Sequence, residues 1–231
     1  MAEVCFKFDK EKDLFNIWDT CNYKTVLQDV SKGIPLKIIK LCKGNNFEEI
    51  KEKISKELKI IHSSPLIPVI VQSANNSWKK IQNDFFNKLE QITNKKFPNK
   101  KITGYLTTVG RCPYSFKESW FMFRFFDSIP GILKTTAHEL MHLFFHEYYW
   151  DDIEKQVGKE KTNDLKEALT VLLNLEFRHF WFVKDKGYSK HEKLRLFIED
   201  NWKKQKDFDV LLKRCVNYLN KNDKQTSFST I

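Results

Sequence analysis

The segment His138-Glu139-Leu140-Met141-His142 sets two imidazoles four residues apart, with a carboxylate beside the first. On a helix of 3.6 residues per turn, positions i and i+4 share a face. Imidazoles so placed can reach one ion at about 2.0–2.1 Å, the usual zinc–nitrogen distance. Glu139 projects about 100° around the helix from His138. That direction suits a base that takes a proton from a water beside the metal. The spacing therefore predicts a catalytic zinc site with His138 and His142 as metal ligands and Glu139 as the general base.

A catalytic zinc takes three protein ligands and keeps one position open. Three candidates compete for the third place. His146 continues the run of His138 and His142 on the same face, but it lies about 12 Å along the axis from His138. One ion does not easily meet both ends, so His146 reads better as a supporting or core residue. The Asp151–Asp152 pair follows too closely and reads as a helix stop. Glu167 sits in Asp164-Leu165-Lys166-Glu167-Ala168-Leu169, opposite a face of Leu165, Leu169, Leu172 and Leu173. Small Ala168 beside it allows close approach to a facing helix. Glu167 is the favoured third ligand, with the ordinary reading of a solvated helix glutamate beside it.

The elements that must position these groups can be read along the chain. Residues 8–23, 46–62 and 74–94 carry apolar positions at helical spacing, and Pro65 and Pro68 break the pattern between the last two. Ile34–Leu41 fits a strand or a helix. Residues 101–109 and 119–126 read as strands, with a turn at Gly110-Arg111-Cys112-Pro113. The second strand is aromatic on both faces, as a covered strand would be. Ser128, Pro130 and Gly131 open the long helix of the histidine motif. With His138 at 0°, its Leu133, Ala137, Leu140, Phe144 and Tyr148 cluster between roughly 200° and 280°, away from both histidines. Further helices are expected at about 161–182, 190–204 and 207–221. This order gives an α+β class, mainly helical, with a small antiparallel or mixed sheet packed on the active-site helix. The division expected is a helical N-terminal region, 1–95, and a catalytic region, 96–231.

The strand–strand–helix–helix stretch over roughly 101–182 resembles the zincin metallopeptidases, and among them the gluzincins. The resemblance implies that His138 and His142 bind zinc, that Glu139 is the general base and that Glu167 from a second helix completes the site. It also implies that the strand near 119–126 holds an extended substrate by edge pairing. The Glu-x-x-x-Asp form of that group has Val171 in place of its Asp, leaving Asp164 or Asn174 to orient a histidine. The metzincin form is excluded, because Phe145 and Tyr148 stand where it needs a Gly and a third His. His146 is similar to a feature of the ImmA/IrrE-type intracellular proteases. Tyr148, Tyr149, His179, Tyr188 and His191 are open candidates for stabilising an oxyanion.

Composition bounds the partners. The 231 residues carry 40 Lys and Arg against 30 Asp and Glu, a net charge of +10. The lysines are dispersed among acidic residues, which favours a solvated surface over a nucleic-acid face. An odd count of five cysteines argues against a disulfide framework. No apolar run is long enough to span a bilayer, and the N-terminus lacks an apolar signal core. The expectation is a cytoplasmic zinc metallopeptidase acting on a peptide or protein. A second class also fits: a regulatory or DNA-associated metalloprotein on a zincin fold, with narrow or no proteolysis.

Overall fold

Glu3–Phe8 forms the first strand, β1, with Val4 and Phe6 buried between more exposed neighbours. Its partner β2, Lys101–Thr107, lies parallel to it, with Val4 opposite Ile102 and Phe6 opposite Gly104. Gly104 is required by close approach: a Cβ there would stand 2.8 Å from the Phe6 ring and 3.0 Å from that of Phe121. Two further strands, β3 (Tyr114–Ser115) and β4 (Trp120–Arg124), complete a sheet ordered β1-β2-β4-β3. The first three neighbours in that order are parallel, and β3 is antiparallel to β4. The sheet is thus mixed, and the class is α+β. These features come from a computed structural model, which describes residues 2–23, 33–108 and 110–226.

The described residues form ten α-helices: α1 (Lys10–Asn22), α2 (Leu36–Cys42), α3 (Phe47–Glu57), α4 (Lys59–His62), α5 (Leu66–Thr93), α6 (Ile129–Tyr148), α7 (Trp150–Val157), α8 (Lys159–Leu169), α9 (Glu192–Lys204) and α10 (Phe208–Thr226). Local chemistry sets several of their ends. The Asp9 carboxylate accepts from the Glu11 and Lys12 N–H groups, and Asn46 accepts from that of Glu48. The 34–41 ambiguity resolves as helix α2. Pro68 does not break α5, because it occupies the first turn, where the N–H has no intrahelical partner to lose. Asp151 and Asp152 do not stop a helix. They lie in the first turn of α7, where carboxylates meet free N–H groups and the positive end of the dipole. The helix expected over 161–182 is interrupted: α8 ends at Leu169, and a wide π turn, Leu173–Phe177, and a 3-10 turn, Arg178–Phe180, follow.

The chain forms two compact units, each drawn from both sides of residue 96. One comprises Ala2–Ile81 and Asn99–Thr136, the other Gln82–Pro98 and the chain from Ala137 onward. In the first, Leu14, Ile17, Ile38, Cys42, Ile50 and Ile54 form the core between the early helices. The buried Asp13 carboxylate joins them to the sheet, accepting from the Thr107 and Thr108 hydroxyls, the Thr108 N–H and His62 Nε2 at 2.6–2.9 Å. In the second, the core comprises Leu140, Leu143, Leu165, Ala168, Ile198, Trp202 and Leu211, among others. No described helix is long and apolar enough to cross a membrane.

The edge expected for substrate pairing near 119–126 is largely taken. Strand β4 is interior to the sheet, and on its outer side β3 covers Trp120 and Phe121 while the Met122 N–H donates to the Pro113 carbonyl.

Candidate metal centre

Helix α6 places its histidines in the second unit, where Leu140, Leu143, Phe144 and Phe145 are all buried. The helix is covered on more than the single face its wheel gives, because Leu143 and Phe145 pack as fully as Leu140 and Phe144. His142 is 2% exposed, so its imidazole lies out of solvent. Helix α8 presents Glu167 to the same point. Glu167 Oε1 lies 3.3 Å from His142 Nε2, and Oε2 lies 3.6 Å from His138 Nε2. The imidazole centroids are 4.4 Å apart, at 74° to one another.

This spacing has a simple geometric meaning. Two ligand atoms at 2.0–2.1 Å from a tetrahedral ion stand roughly 3.3–3.4 Å from each other. The 3.3 Å from Glu167 Oε1 to His142 Nε2 equals that edge, and the 3.6 Å from Oε2 to His138 Nε2 is somewhat longer and uses the other carboxylate oxygen. His138, His142 and Glu167 each offer an atom within 4.8 Å of the others, and no other such group occurs among the described residues. Two imidazole nitrogens and a carboxylate form a donor set that can hold a divalent metal. The His138 and Glu167 side chains keep 16% and 13% exposure, so the opening lies on their side of the set.

A residue that the sequence did not suggest orients the first histidine. Asp185 Oδ2 accepts from His138 Nδ1 at 2.9 Å. This contact fixes the ring and leaves Nε2 turned to Glu167, as a metal-binding histidine requires. Asp185 is itself clamped on every side. Its N–H donates to Asn174 Oδ1 at 2.7 Å, and its carbonyl accepts from Asn174 Nδ2 and from Arg195, each at 2.8 Å. Arg195 also reaches Asp185 Oδ1 at 3.1 Å. Neither residue expected to orient a histidine touches His138. Asn174 acts one step back, and Asp164 instead pairs with His191 at 3.0 Å and Lys190 at 2.7 Å. Asp185 lies 47 residues from His138 in an aperiodic Lys184-Asp185-Lys186-Gly187 loop. No local sequence signal marks it.

Electrostatics separates the two imidazoles. Burial pushes the His138 pKa down, but the adjacent Asp185 and Glu167 carboxylates outweigh it and raise the value to about 10. Glu139 adds to that rise, which places its charge near His138. For His142, burial and the Lys166 ammonium prevail over Glu167, and the value falls to about 3. Burial opposes ionisation of Glu167, yet the two histidines and Lys166 hold its carboxyl far below the usual range. In the metal-free protein His138 is thus the charged imidazole and His142 the neutral one.

The remaining residues singled out from the sequence fall into place. Glu139 is 6% exposed, on the same helix as both histidines. His146 stacks on Trp150 at 4.3 Å between ring centroids and is not among the metal donors. Of the oxyanion candidates, Tyr148 donates its hydroxyl to the Lys96 carbonyl at 2.6 Å, and His191 is buried against Asp164. Tyr149 lines an apolar cavity with Met141, Phe145 and Leu169, and burial pushes its hydroxyl pKa up. No protein-family model matches the chain, and no curated protein or solved structure matches it.

Proposed function

We propose that this chain is a zinc metallopeptidase of the zincin type, hydrolysing a bond in a peptide or protein substrate. The observation that carries this reading is the meeting of His138, His142 and Glu167, with donor atoms within 4.8 Å of one another and Glu139 one residue from the first histidine. Two nitrogens and one oxygen suit zinc, and three protein ligands leave a position open. A bound zinc would polarise the scissile carbonyl and make an attacking water more acidic.

The chain's own groups supply the rest. Glu139 cannot serve as a fourth ligand from its position on the helix, so its carboxylate is left to take a proton from the attacking water. It then passes that proton to the leaving amine nitrogen. Asp185 holds His138 in the tautomer that presents Nε2. Glu139 lies largely out of solvent, where a fixed carboxylate acts more strongly than in bulk water.

The test separates base from ligand. Glu139→Gln keeps the size and removes the base, so the variant should fold, retain about one zinc per chain and lose hydrolysis by about 10²–10⁴-fold. Metal content is read by elemental analysis, and cleavage by mass spectrometry on a mixed peptide library. Undiminished cleavage in the variant, or a wild-type chain that takes up no metal, overturns the proposal.

A further inference from the structure

Lys166 precedes the third donor and is itself 4% exposed. Its ammonium lies 2.9 Å from Glu167 Oε1, the oxygen that also faces His142 Nε2 at 3.3 Å. The residue lines an apolar cavity with Met141, Phe145, Leu169 and Leu172. An ammonium in such surroundings costs several kcal/mol unless it is paired. A methionine or leucine would fill the same wall without that cost, so packing does not explain a lysine here. Its charge does.

The charges around the donors support this. Glu139, Glu167 and Asp185 bring three carboxylates near the two imidazoles, against the fixed cations Lys166 and Arg195. Without Lys166, three carboxylates would face the Arg195 guanidinium and the His138 imidazolium alone.

We propose that Lys166 is a positioning residue that takes the place of the metal's charge in the metal-free protein, holding the Glu167 carboxylate at the donor position and competing with a bound divalent cation for it. The inference rests on the metal site proposed above. It has a definite consequence. The protein keeps its donor set assembled without metal, and it holds the metal less tightly than the same ligands would alone. Lys166 therefore makes the site exchangeable, where an uncompensated cluster of carboxylates would trap any divalent ion.

The experiment measures zinc affinity by competition with a chromophoric chelator, and thermal midpoints with and without zinc. Two neutral variants are used in the whole 231-residue chain. Lys166→Met keeps the stem and removes the head group. Lys166→Gln also keeps an N–H donor for Glu167, so it separates charge from hydrogen bonding and provides a second chance of a folded variant. Both should bind zinc about tenfold or more tightly than wild type, the least expected from deleting a unit charge beside a ligand carboxylate. Their metal-free midpoints should fall, and the rise on adding zinc should grow. A purely structural lysine predicts another pattern, with both midpoints lowered together and no gain in affinity. Wild-type uptake of zinc with unchanged or weaker binding in the variants overturns the role of Lys166 alone. A wild-type chain that binds no zinc overturns the metal reading and this inference together.

Discussion

Each candidate metal donor depends on what stands behind it. His138 and His142 share one helix face and would meet an ion in any α-helix of this sequence, which is why the pair was legible from spacing alone. Glu167 was legible by its place opposite a leucine face, although only folding brings it to 3.3 Å from His142. Asp185 was not legible, because its role comes from a loop folding back across 47 residues. The metal-binding consequences differ among these residues. Glu167→Gln should strip zinc under conditions where the wild type retains it. His146→Ala should not, because that ring is engaged with Trp150 outside the donor set. Asp185→Asn keeps the shape but loses the charge that fixes the His138 tautomer, and should weaken zinc binding by about 10–100-fold. Elemental analysis after dialysis against a graded chelator series checks all three. Loss of zinc from His146→Ala with retention in Glu167→Gln would reverse the ligand assignment.

At the scale of elements, the candidate site depends on a loop as well as on the two helices that carry its donors. Arg195, on α9, reaches back to Asp185 and to the Thr170 hydroxyl at 2.7 Å, tying the loop before α9 to the residue after α8. Gly187 makes this possible. It has φ +64°, and a Cβ there would stand 2.7–2.8 Å from the Arg195 guanidinium. Gly187→Ala should therefore displace the guanidinium, loosen Asp185 and weaken zinc binding as well as stability. Gly158 provides the control. Its φ is +80°, but nothing lies within 4 Å of the position a Cβ would take. Gly158→Ala should cost about 1–3 kcal/mol from backbone strain alone, because φ +80° with ψ 163° is a conformation essentially only glycine adopts, and leave zinc affinity unchanged. Urea unfolding and chelator competition on both variants decide it, and equal zinc affinities in the two would remove the loop from the argument.

The elements themselves were unevenly legible. Long amphipathic segments announced α3, α5 and α6 by their period. Strand β1 was missed because six residues alternate too briefly to stand out, and its parallel partner begins almost a hundred residues later. The break after α8 was missed because Thr170–Leu173 contains neither Gly nor Pro, and the wide turn that follows is a tertiary outcome.

For the whole molecule, the candidate metal site links protonation to folding. A histidine whose pKa is raised by folding stabilises the native state while the proton is bound, and that contribution is lost as pH rises. His138 rises from an ordinary value of 6.5 to about 10, so its contribution is full below about pH 6.5 and drains away up to about pH 10. His142 works in the opposite sense. Its pKa falls to about 3, so the unfolded chain takes up a proton that the folded chain refuses, and stability is lost as pH falls below about 6.5. Glu167, held far below its ordinary 4.5, adds to the loss on the acid side. The metal-free protein should therefore be most stable near neutrality, with the alkaline fall set by His138. Zinc changes both sides of this curve. Both imidazoles ligate in the neutral form, so in the loaded protein the His138 proton is already gone: the alkaline fall should flatten, and the acid fall should steepen because the unfolded chain takes up a His138 proton that the loaded fold refuses. Thermal midpoints across a pH series, with and without zinc, make the comparison. His138→Gln in the metal-free protein should remove the alkaline fall, and His142→Gln should leave it in place. A metal-free wild type as stable near pH 10 as at neutrality would show that His138 does not hold its proton against Asp185 and Glu167.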